Sequence, residues 1–454
     1  MTGASHSHTV ASSSSPESGS SAQAGVVLDR CLVSLVVAAL FLERFEKDWW
    51  ESGRLVVPDV LFVLSICLLA ARLAAVARRG SAIRRLVSKE VALIGFVTLL
   101  GLLSVAAFFL HDGTLEHGSQ VAKTYAHVVF LMMGALLIGR TFSRGRLVEW
   151  ALVTYFVLAV LISSVTIVQA IDQNLVSFGF ADTLGLRART NAEVFARPMA
   201  TFSEPAYLGY ATLVGAFIGV GLVARRHRIV AWVGVTLCIV AFLLAGSVGA
   251  IALAAVLLTF LAFRQMTSSG MTWRREALVP LVALILLVCS TLAVVAPVRE
   301  TITGRVGSIV SGSDPSAQLR AQQNRGSIEI WKKAPVTGVG LGNTRFYLPE
   351  YIDVLYEPGI GAEFSAANAY LGLLGEVGPL GTAALGVLLL LLITRNHGVT
   401  GPAEPLTQLF MLMVFLQFFI IGTFVLPPFW FWAGLRIALQ RRASAVPGLY
   451  PRFA

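Results

Sequence analysis

The residues with the clearest chemical potential in this 454-residue chain are arginines that lie between its apolar segments. A guanidinium stays charged when it is partly desolvated, and its planar fork binds phosphate or carboxylate through two parallel hydrogen bonds. Two polar segments, Ile171–Pro205 and Val298–Ala366, therefore indicate a receptor for an anion. They contain Arg187, Arg189, Arg197, Arg299, Arg305, Arg320, Arg325 and Arg345.

A carboxylate follows the last arginine of the first segment. Arg197 and Glu204 lie seven residues apart, and Pro205 opens the next apolar stretch. Glu204 could accept a proton from a hydroxyl group in a dry pocket. Equally, Arg197 could extend its side chain to the membrane surface while Glu204 caps a helix with Pro205 at the first position. Both interpretations stay open.

The second segment contains Arg325 and Glu329, which lie on one face of a helix and could simply pair. A cluster of glycines follows at Gly338, Gly340 and Gly342. Because no strand precedes this cluster and no nucleotide-binding unit surrounds it, it is neither a phosphate-binding loop nor a dinucleotide fingerprint. We predict a tight backbone turn that lets a ligand or the membrane helices approach closely.

The composition decides what class of protein carries these residues. The chain is 56% hydrophobic and 13% charged, with a mean hydropathy of +0.76. Apolar stretches of roughly 20 residues recur, the length needed to cross about 30 Å of hydrocarbon. The sequence therefore predicts an all-α polytopic membrane helical bundle. The net charge of +10 reports topology rather than nucleic-acid binding. The cysteines all fall in apolar segments and indicate neither a metal site nor disulfides.

Twelve spans are predicted, with eleven as the alternative if the last segment is one helix rather than two broken at Pro427-Pro428. Their predicted bounds are Cys31–Leu42, Val56–Val76, Val91–Leu110, Val121–Gly139, Leu147–Ala170, Ala206–Val223, Ile229–Ala245, Val248–Phe263, Leu278–Val298, Ala367–Ile393 and Leu406–Trp432.

Charge in the loops predicts the orientation of these spans. Every second loop is basic, which places those loops and the N-terminal tail inside the cell. Ile171–Pro205 and Val298–Ala366 are then outside. The basic residues are Arg78, Arg79, Arg84, Arg85, Lys89, Arg140, Arg144, Arg146, Arg225, Arg226, Arg228, Arg264, Arg274, Arg275, Arg441 and Arg442.

The predicted domain organisation follows from these spans and loops. It comprises a disordered cytoplasmic tail (1–25), N-terminal membrane helices (26–170), an outer loop (171–205), central helices (206–297), a large outer loop (298–366), C-terminal helices (367–440) and a cytoplasmic tail (441–454). In the large loop, Asp314-Pro315 predicts a helix start. From there to about Lys333, the residues Leu319, Ile328, Ile330 and Trp331 predict an apolar face.

Three stretches, taken in order, resemble the O-antigen polymerase/ligase family of bacterial membrane glycosyltransferases. The family has an arginine and a Glu/Pro turn before a middle span, an outer loop with Arg-x5-Trp and Pro-x-x-Gly-x-Gly, and a His-Asn-x-Tyr-Leu…Glu-x-Gly block. The resemblance covers roughly Arg197 to Gly381. The matching residues are Arg197, Glu204, Pro205, Arg325, Trp331, Pro335, Gly338, Gly340, Asn368, Tyr370, Leu371, Glu376 and Gly378.

One departure separates the family's two activities. The histidine that precedes the asparagine in the ligases is replaced by Ala367, and the other outer histidines, His111 and His117, lie in a different loop. The departure favours a polymerase. Glu376 is two turns inside a span, where a carboxylate is costly unless it has a partner. We therefore interpret Glu376 as a residue with a partner inside the bundle, in preference to a catalytic residue.

The resemblance implies an enzyme that uses a glycan on undecaprenyl diphosphate at the outer face of the plasma membrane. Arg197 and Arg325 would stabilise the leaving diphosphate without a metal or cofactor, and Glu204, or else Glu363, would be the base. The implied partners are the lipid-linked oligosaccharide, membrane lipid, a chain-length regulator and a flippase, but no nucleic acid. The implied substrate-binding residues are Arg187, Arg189, Arg320, Arg345, Trp331, Asn368 and Tyr370, where Trp331 could equally be an ordinary loop or interface residue.

Two alternatives remain. A ligase of the same family would transfer finished glycan to a lipid, wall or protein acceptor. A transporter or flippase would also suit twelve spans, but solute pathways usually show polar residues near the bilayer midplane. Here charge deep within the spans is scarce, with Asp59 and Glu376 as the main cases, which argues against transport.

Overall fold

The computed structural model describes a subset of the chain, to which all structural statements below refer. The described residues are 17–41, 86–111, 114–144, 146–183, 188–189, 197–202, 205–225, 227–267, 311–352, 366–396 and 401–445, with isolated positions at 64–65, 67–68, 70–71, 290, 304, 307–308 and 399. Apart from one pair of two-residue strands, the regular structure of this part of the chain is helical, as predicted.

The described elements follow one another as α-helices with a single short strand pair. In chain order they are α1 (Glu17–Phe41), α2 (Ser88–Leu110), α3 (Leu115–Phe142), α4 (Leu147–Asn174), α5 (Phe180–Thr183), β1 (Ala188–Arg189), β2 (Arg197–Pro198), α6 (Pro205–Gly221), α7 (Arg228–Leu244), α8 (Val248–Thr267), α9 (Pro315–Lys333), α10 (Thr344–Tyr347), α11 (Ala369–Ile393), α12 (Ala403–Gln417) and α13 (Pro427–Ser444). Two 3-10 turns cover Val223–Arg225 and Leu348–Tyr351.

Most predicted spans coincide with a helix. Helices α2, α3, α4 and α11 are long and apolar enough to cross a membrane, and α6, α7 and the first part of α8 are shorter apolar helices. The predicted spans Val56–Val76 and Leu278–Val298 lie largely outside the described residues, so twelve spans stay a prediction.

The helix bounds differ from the prediction at both ends of the chain. Helix α1 begins at Glu17, within the segment predicted to be disordered. The last predicted segment is two helices, as the twelve-span prediction requires, and Pro427 and Pro428 open the second of them, α13. Since α13 continues to Ser444, Arg441 and Arg442 belong to its last turn and not to a tail.

Small residues and large aromatic side chains alternate in the core. Gly434 of α13 lets α3 approach closely, since a Cβ there would lie 2.8 Å from a methyl group of Ile138. Trp430 and Trp432 of the same helix are fully buried, and the ring centroid of Trp432 lies 4.7 Å from that of Phe410 on α12. Helix α13 is therefore the central element on which α3 and α12 pack.

The two ends of the bundle differ in chemistry. At one end, which we call the basic end, Arg140 and Arg441 both bind the buried Glu90 carboxylate, with Nε–Oε1 distances of 3.3 and 2.8 Å. Arg442 binds Glu149 at 2.8 Å. The opposite end, which we call the loop end, carries β1, β2, α9 and α10. Of the charges predicted to lie inside the cell, Arg140, Arg441 and Arg442 are thus gathered at this end.

The basic end also contains charges that the sequence analysis missed. Arg436 of α13 and Glu404 of α12 are fully buried and pair at 2.9 Å, and Nζ of the buried Lys89 donates to the Thr394 carbonyl at 2.9 Å. The expectation that Glu376 and Asp59 are the main charges within spans was therefore incomplete. Asp59 lies outside the described residues.

Candidate active site at the loop end

Helix α9 is the principal element of the large loop, and it starts where the sequence predicted. The Asp314 carboxylate accepts a hydrogen bond of 2.7 Å from the Ala317 N–H, and Pro315 occupies the first helical position. Of the four residues predicted to form its apolar face, only Ile330 is buried. Ile330 forms a small core with Ala334, Val339 and Leu348.

The glycine cluster forms the predicted close approach to a membrane helix. Gly338 has a φ of +64°, and a Cβ there would overlap the Glu376 carbonyl group. The N–H groups of Val339 and Gly340 donate to the carbonyl oxygens of Gly375 and Glu376 at 3.0 and 2.8 Å. The large loop is thus bonded by its backbone to α11, and no nucleotide site is formed by these glycines.

Gly338→Ala is therefore expected to destabilise the protein, because the new side chain would require both a disfavoured backbone conformation and displacement of the α11 backbone. The matched control is Gly386→Ala, in α11, where a Cβ would meet nothing within 4 Å. Thermal unfolding in detergent checks this: we expect a lower Tm for Gly338→Ala and an unchanged or slightly higher Tm for Gly386→Ala. Equal Tm values would contradict the close approach.

Glu376 has a polar partner, but not inside the bundle, where the sequence predicted one. Its Oε1 accepts a hydrogen bond of 2.9 Å from the Thr344 hydroxyl, and the Gly342 N–H also donates to the carboxylate. The partners come from the large loop and not from the interior of the bundle. The carboxylate therefore joins α11 to α10.

Two of the described arginines of the large loop face solvent. Arg325 and Arg345 are exposed and Arg320 is half-buried. Glu329 does not bond Arg325, because it accepts a hydrogen bond of 2.8 Å from Lys332, which holds the pKa of the Glu329 carboxyl below its ordinary value. Arg325 makes no ion pair among the described residues, and its guanidinium is available to an anion.

The first outer segment brings two predicted arginines together. Strands β1 and β2 pair antiparallel, with Arg189 directly opposite Arg197 and Ala188 opposite Pro198. Strand β2 packs against α4. Arg187 and Glu204 lie outside the described residues, as do Arg299, Arg305 and Glu363.

Two polar residues of α4 hold this segment in place, and the sequence analysis missed both. The buried Gln169 side chain accepts a hydrogen bond of 2.9 Å from the Ala200 N–H. The buried Asp172 carboxylate accepts three backbone hydrogen bonds, from Phe178, Gly179 and Ala181, at 2.6 to 2.9 Å. The signal that could have identified Asp172 from the sequence is a carboxylate at the end of a span that is followed by a polar loop.

The predicted substrate-binding residues of the third stretch also have structural partners. The Asn368 side chain caps α11 by accepting from the N–H groups of Tyr370 and Leu371 at 2.9 and 3.2 Å. The Tyr370 hydroxyl donates to the Phe415 carbonyl at 2.8 Å, and the Trp331 indole N–H donates to the Pro335 carbonyl at 3.1 Å. These contacts use polar atoms that the prediction assigned to a substrate.

A histidine set aside by the sequence analysis reaches the large loop. The His117 ring, near the start of α3, lies 4.8 Å from the Phe346 ring centroid and 5.7 Å from that of Tyr347. Sequence separation concealed this contact, since His117 lies more than 200 residues before Phe346. The fold thus brings an imidazole beside α10, which also carries Arg345.

An apolar cavity lies toward the loop end, where α6 and α13 begin. Phe41, Phe202 and Pro428 contribute to its lining, together with Tyr155 and Tyr210. The Tyr210 hydroxyl is buried and lacks a hydrogen-bond partner among the described residues. Phe202 lies five residues after Arg197, so the cavity is close in sequence to the paired arginines.

A comparison with known protein families identifies a match that includes the large loop. Residues 233–386 match the protein-family model of the O-antigen ligases. The predicted resemblance to the O-antigen polymerase/ligase family is therefore confirmed over these residues, about a third of the chain. A search of curated proteins finds no match.

The matched residues contain α8, α9, α10 and most of α7 and α11. They include the exposed Arg325 and Arg345 and the contact between Glu376 and Thr344. Arg189 and Arg197 lie before them. Four described helices are long and apolar enough to cross a membrane, and the large polar loop lies within the matched residues.

Proposed function

We propose that this protein is a polysaccharide polymerase of the plasma membrane. It transfers a growing glycan from undecaprenyl diphosphate to a lipid-linked repeat unit at the outer face. The observation that carries the proposal is the family match at residues 233–386, whose loop presents Arg325 and Arg345 without ion-pair partners among the described residues.

The reaction needs charge stabilisation at the leaving group. The acceptor hydroxyl oxygen bonds to the anomeric carbon of the donor glycan, and the bond between that carbon and the diphosphate oxygen breaks. The bonding electrons leave with the lipid diphosphate, and the hydroxyl proton passes to a base. Arg325 and Arg197 stabilise the diphosphate. Glu204 is the first candidate for the base and Glu363 the second.

The substrate is an amphiphile, and the loop end offers surroundings for both of its parts. Arg189 and Arg197 stand opposite each other in the strand pair, and Phe202 then lines an apolar cavity. A diphosphate suits arginine side chains, whereas a prenyl chain suits an apolar wall. The closeness of Arg197 and Phe202 in the sequence supports a lipid-linked donor or acceptor over a soluble sugar nucleotide.

A ligase that transfers finished glycan to another acceptor is the second candidate. Ala367 argues against it, because the ligases carry a histidine at that position. The contact of His117 with α10 favours it, since it brings an imidazole ring to the large loop. The two activities leave different products when the protein is removed.

The deciding experiment is the size distribution of lipid-linked and surface glycan in a deletion strain. We expect single repeat units on the carrier and at the surface, with long chains restored by the wild-type gene. Long chains stranded on the carrier would instead identify a ligase. An unchanged glycan profile would overturn both glycosyltransferase candidates and favour the transporter hypothesis.

A further inference from the structure

We propose that Glu376 is a positioning residue that holds Arg345 of the large loop in place on the membrane helix α11. The proposal rests on the proposed function in one respect, that Arg345 contacts the anionic substrate.

Helix α11 is broken at Gly378 and Pro379. Gly378 has φ +70° and ψ −172°, which no helical residue adopts, and Pro379 has no N–H to donate. The carbonyl oxygens of Gly375 and Glu376, which would bond to residues 379 and 380 in a regular helix, are therefore freed. In an apolar bundle such groups are costly unless they find new donors.

The large loop supplies these donors. The N–H groups of Val339 and Gly340 satisfy the two freed carbonyl oxygens. A Cβ on Gly378 would overlap the Val336 carbonyl oxygen, so the loop approaches the break too closely for a larger residue. The break in α11 is thus the place where the loop is attached.

The Glu376 side chain adds a second connection beside the backbone one. Its carboxylate accepts from Thr344, which opens α10, and from the Gly342 N–H. Thr344 is buried, whereas the next residue, Arg345, is exposed. The two backbone bonds already tie the loop to α11, so the carboxylate is not needed for attachment alone. What it adds is the orientation of α10.

Contacts on another side restrict α10 further. The His117 ring of α3 lies against Phe346, and the Asn343 amide donates to the Val339 carbonyl at 3.0 Å. Helix α10 is thereby held between two membrane helices, α3 and α11. Arg345 leaves this short helix from a fixed backbone position toward solvent, which suits a group that must meet a phosphate at a set place.

The test uses the full chain in proteoliposomes with a lipid-linked repeat unit as substrate, and compares kcat and KM. Glu376→Ala is expected to lower kcat by up to about 100-fold, the effect of a misplaced reacting group. Glu376→Gln retains an acceptor oxygen and should recover most of the activity. Thr344→Val removes only the hydroxyl and should lower kcat as Glu376→Ala does. It tests the proposal in the event that Glu376→Ala folds poorly. Leu390→Ala, at an exposed position of α11, is the control and should be unchanged.

A double-mutant cycle separates positioning from general support of the fold. If Glu376 acts through Arg345, then Glu376→Ala/Arg345→Ala is no slower than Arg345→Ala alone. Fully multiplicative losses would overturn the proposal, as would a Thr344→Val variant with wild-type kcat.

A second readout does not depend on catalysis. Trypsin cleaves after Lys332 and Lys333 of α9, and a loosened loop should be cut faster in Glu376→Ala and Thr344→Val than in the wild type. If Arg345→Ala keeps full activity, the proposed substrate contact of Arg345 fails and the positioning proposal with it. If Arg345→Ala is inactive but cleavage and kcat are unchanged in the Glu376 and Thr344 variants, only the positioning proposal fails.

Discussion

Arg325→Ala is expected to reduce glycan transfer by about 10²- to 10³-fold, the usual cost of removing one group that stabilises transition-state charge. Arg325 is exposed on α9 and makes no ion pair among the described residues, so its truncation removes a charge without leaving a partner unsatisfied. The measurement is the length distribution of glycan in a deletion strain that carries the variant gene. We expect single repeat units at normal protein levels.

Two further variants sharpen this result. Arg325→Lys keeps the charge but not the planar fork, and should retain only part of the activity. Lys332→Ala, two turns further along the same face of α9, removes a cation that already pairs with Glu329, and should make full-length glycan. Full-length glycan from Arg325→Ala, with the protein correctly inserted, would exclude Arg325 from the site.

Glu404→Leu is expected to lower the free energy of unfolding by about 3–5 kcal/mol, because it leaves the buried Arg436 guanidinium without its carboxylate. Glu404 also accepts hydrogen bonds from the backbone and side chain of Asn396 at 2.7 and 3.2 Å. The substitution therefore removes the anion that joins α12, α13 and the connection before α12. Chemical unfolding in detergent, followed by tryptophan fluorescence, measures the loss.

The matched control is Glu350→Ala, which breaks the exposed pair with Lys333, where both side chains are 60% exposed. Solvent screens that pair, and no measurable change in stability is expected. If the two variants unfold at the same denaturant concentration, the buried pair does not stabilise the bundle. An active Glu404→Leu protein with reduced stability would show that the basic end supports the fold rather than the reaction.

Several features of the fold were predictable because they depend on local properties of the sequence. Ten described helices coincide with predicted spans, since a helix that crosses hydrocarbon must be apolar along its whole length. The start of α9 at Asp314-Pro315 follows from capping chemistry within one turn. The predicted end of α13 was wrong because its second half contains Arg436, Arg441 and Arg442. Their charges lower the hydropathy of a helix that is nevertheless largely buried.

The candidate site was predictable only in part. The arginine-rich segments and the glycine turn were recognised from composition and spacing. The partners of those residues were not, because each contact joins positions far apart in the chain. Glu376 meets Thr344 across 32 residues, and His117 meets Phe346 across more than 200.

The sequence by itself determined that this protein is a helical membrane bundle with two arginine-rich loops on one predicted side. Hydropathy and charge decide this, because the free energy of placing a side chain in hydrocarbon depends mainly on the type of that residue. Only the tertiary structure decided that Arg189 faces Arg197, that the broken α11 bonds the large loop, and that Glu404 neutralises Arg436. These contacts depend on which helices pack together, and that choice is made by the whole bundle at once.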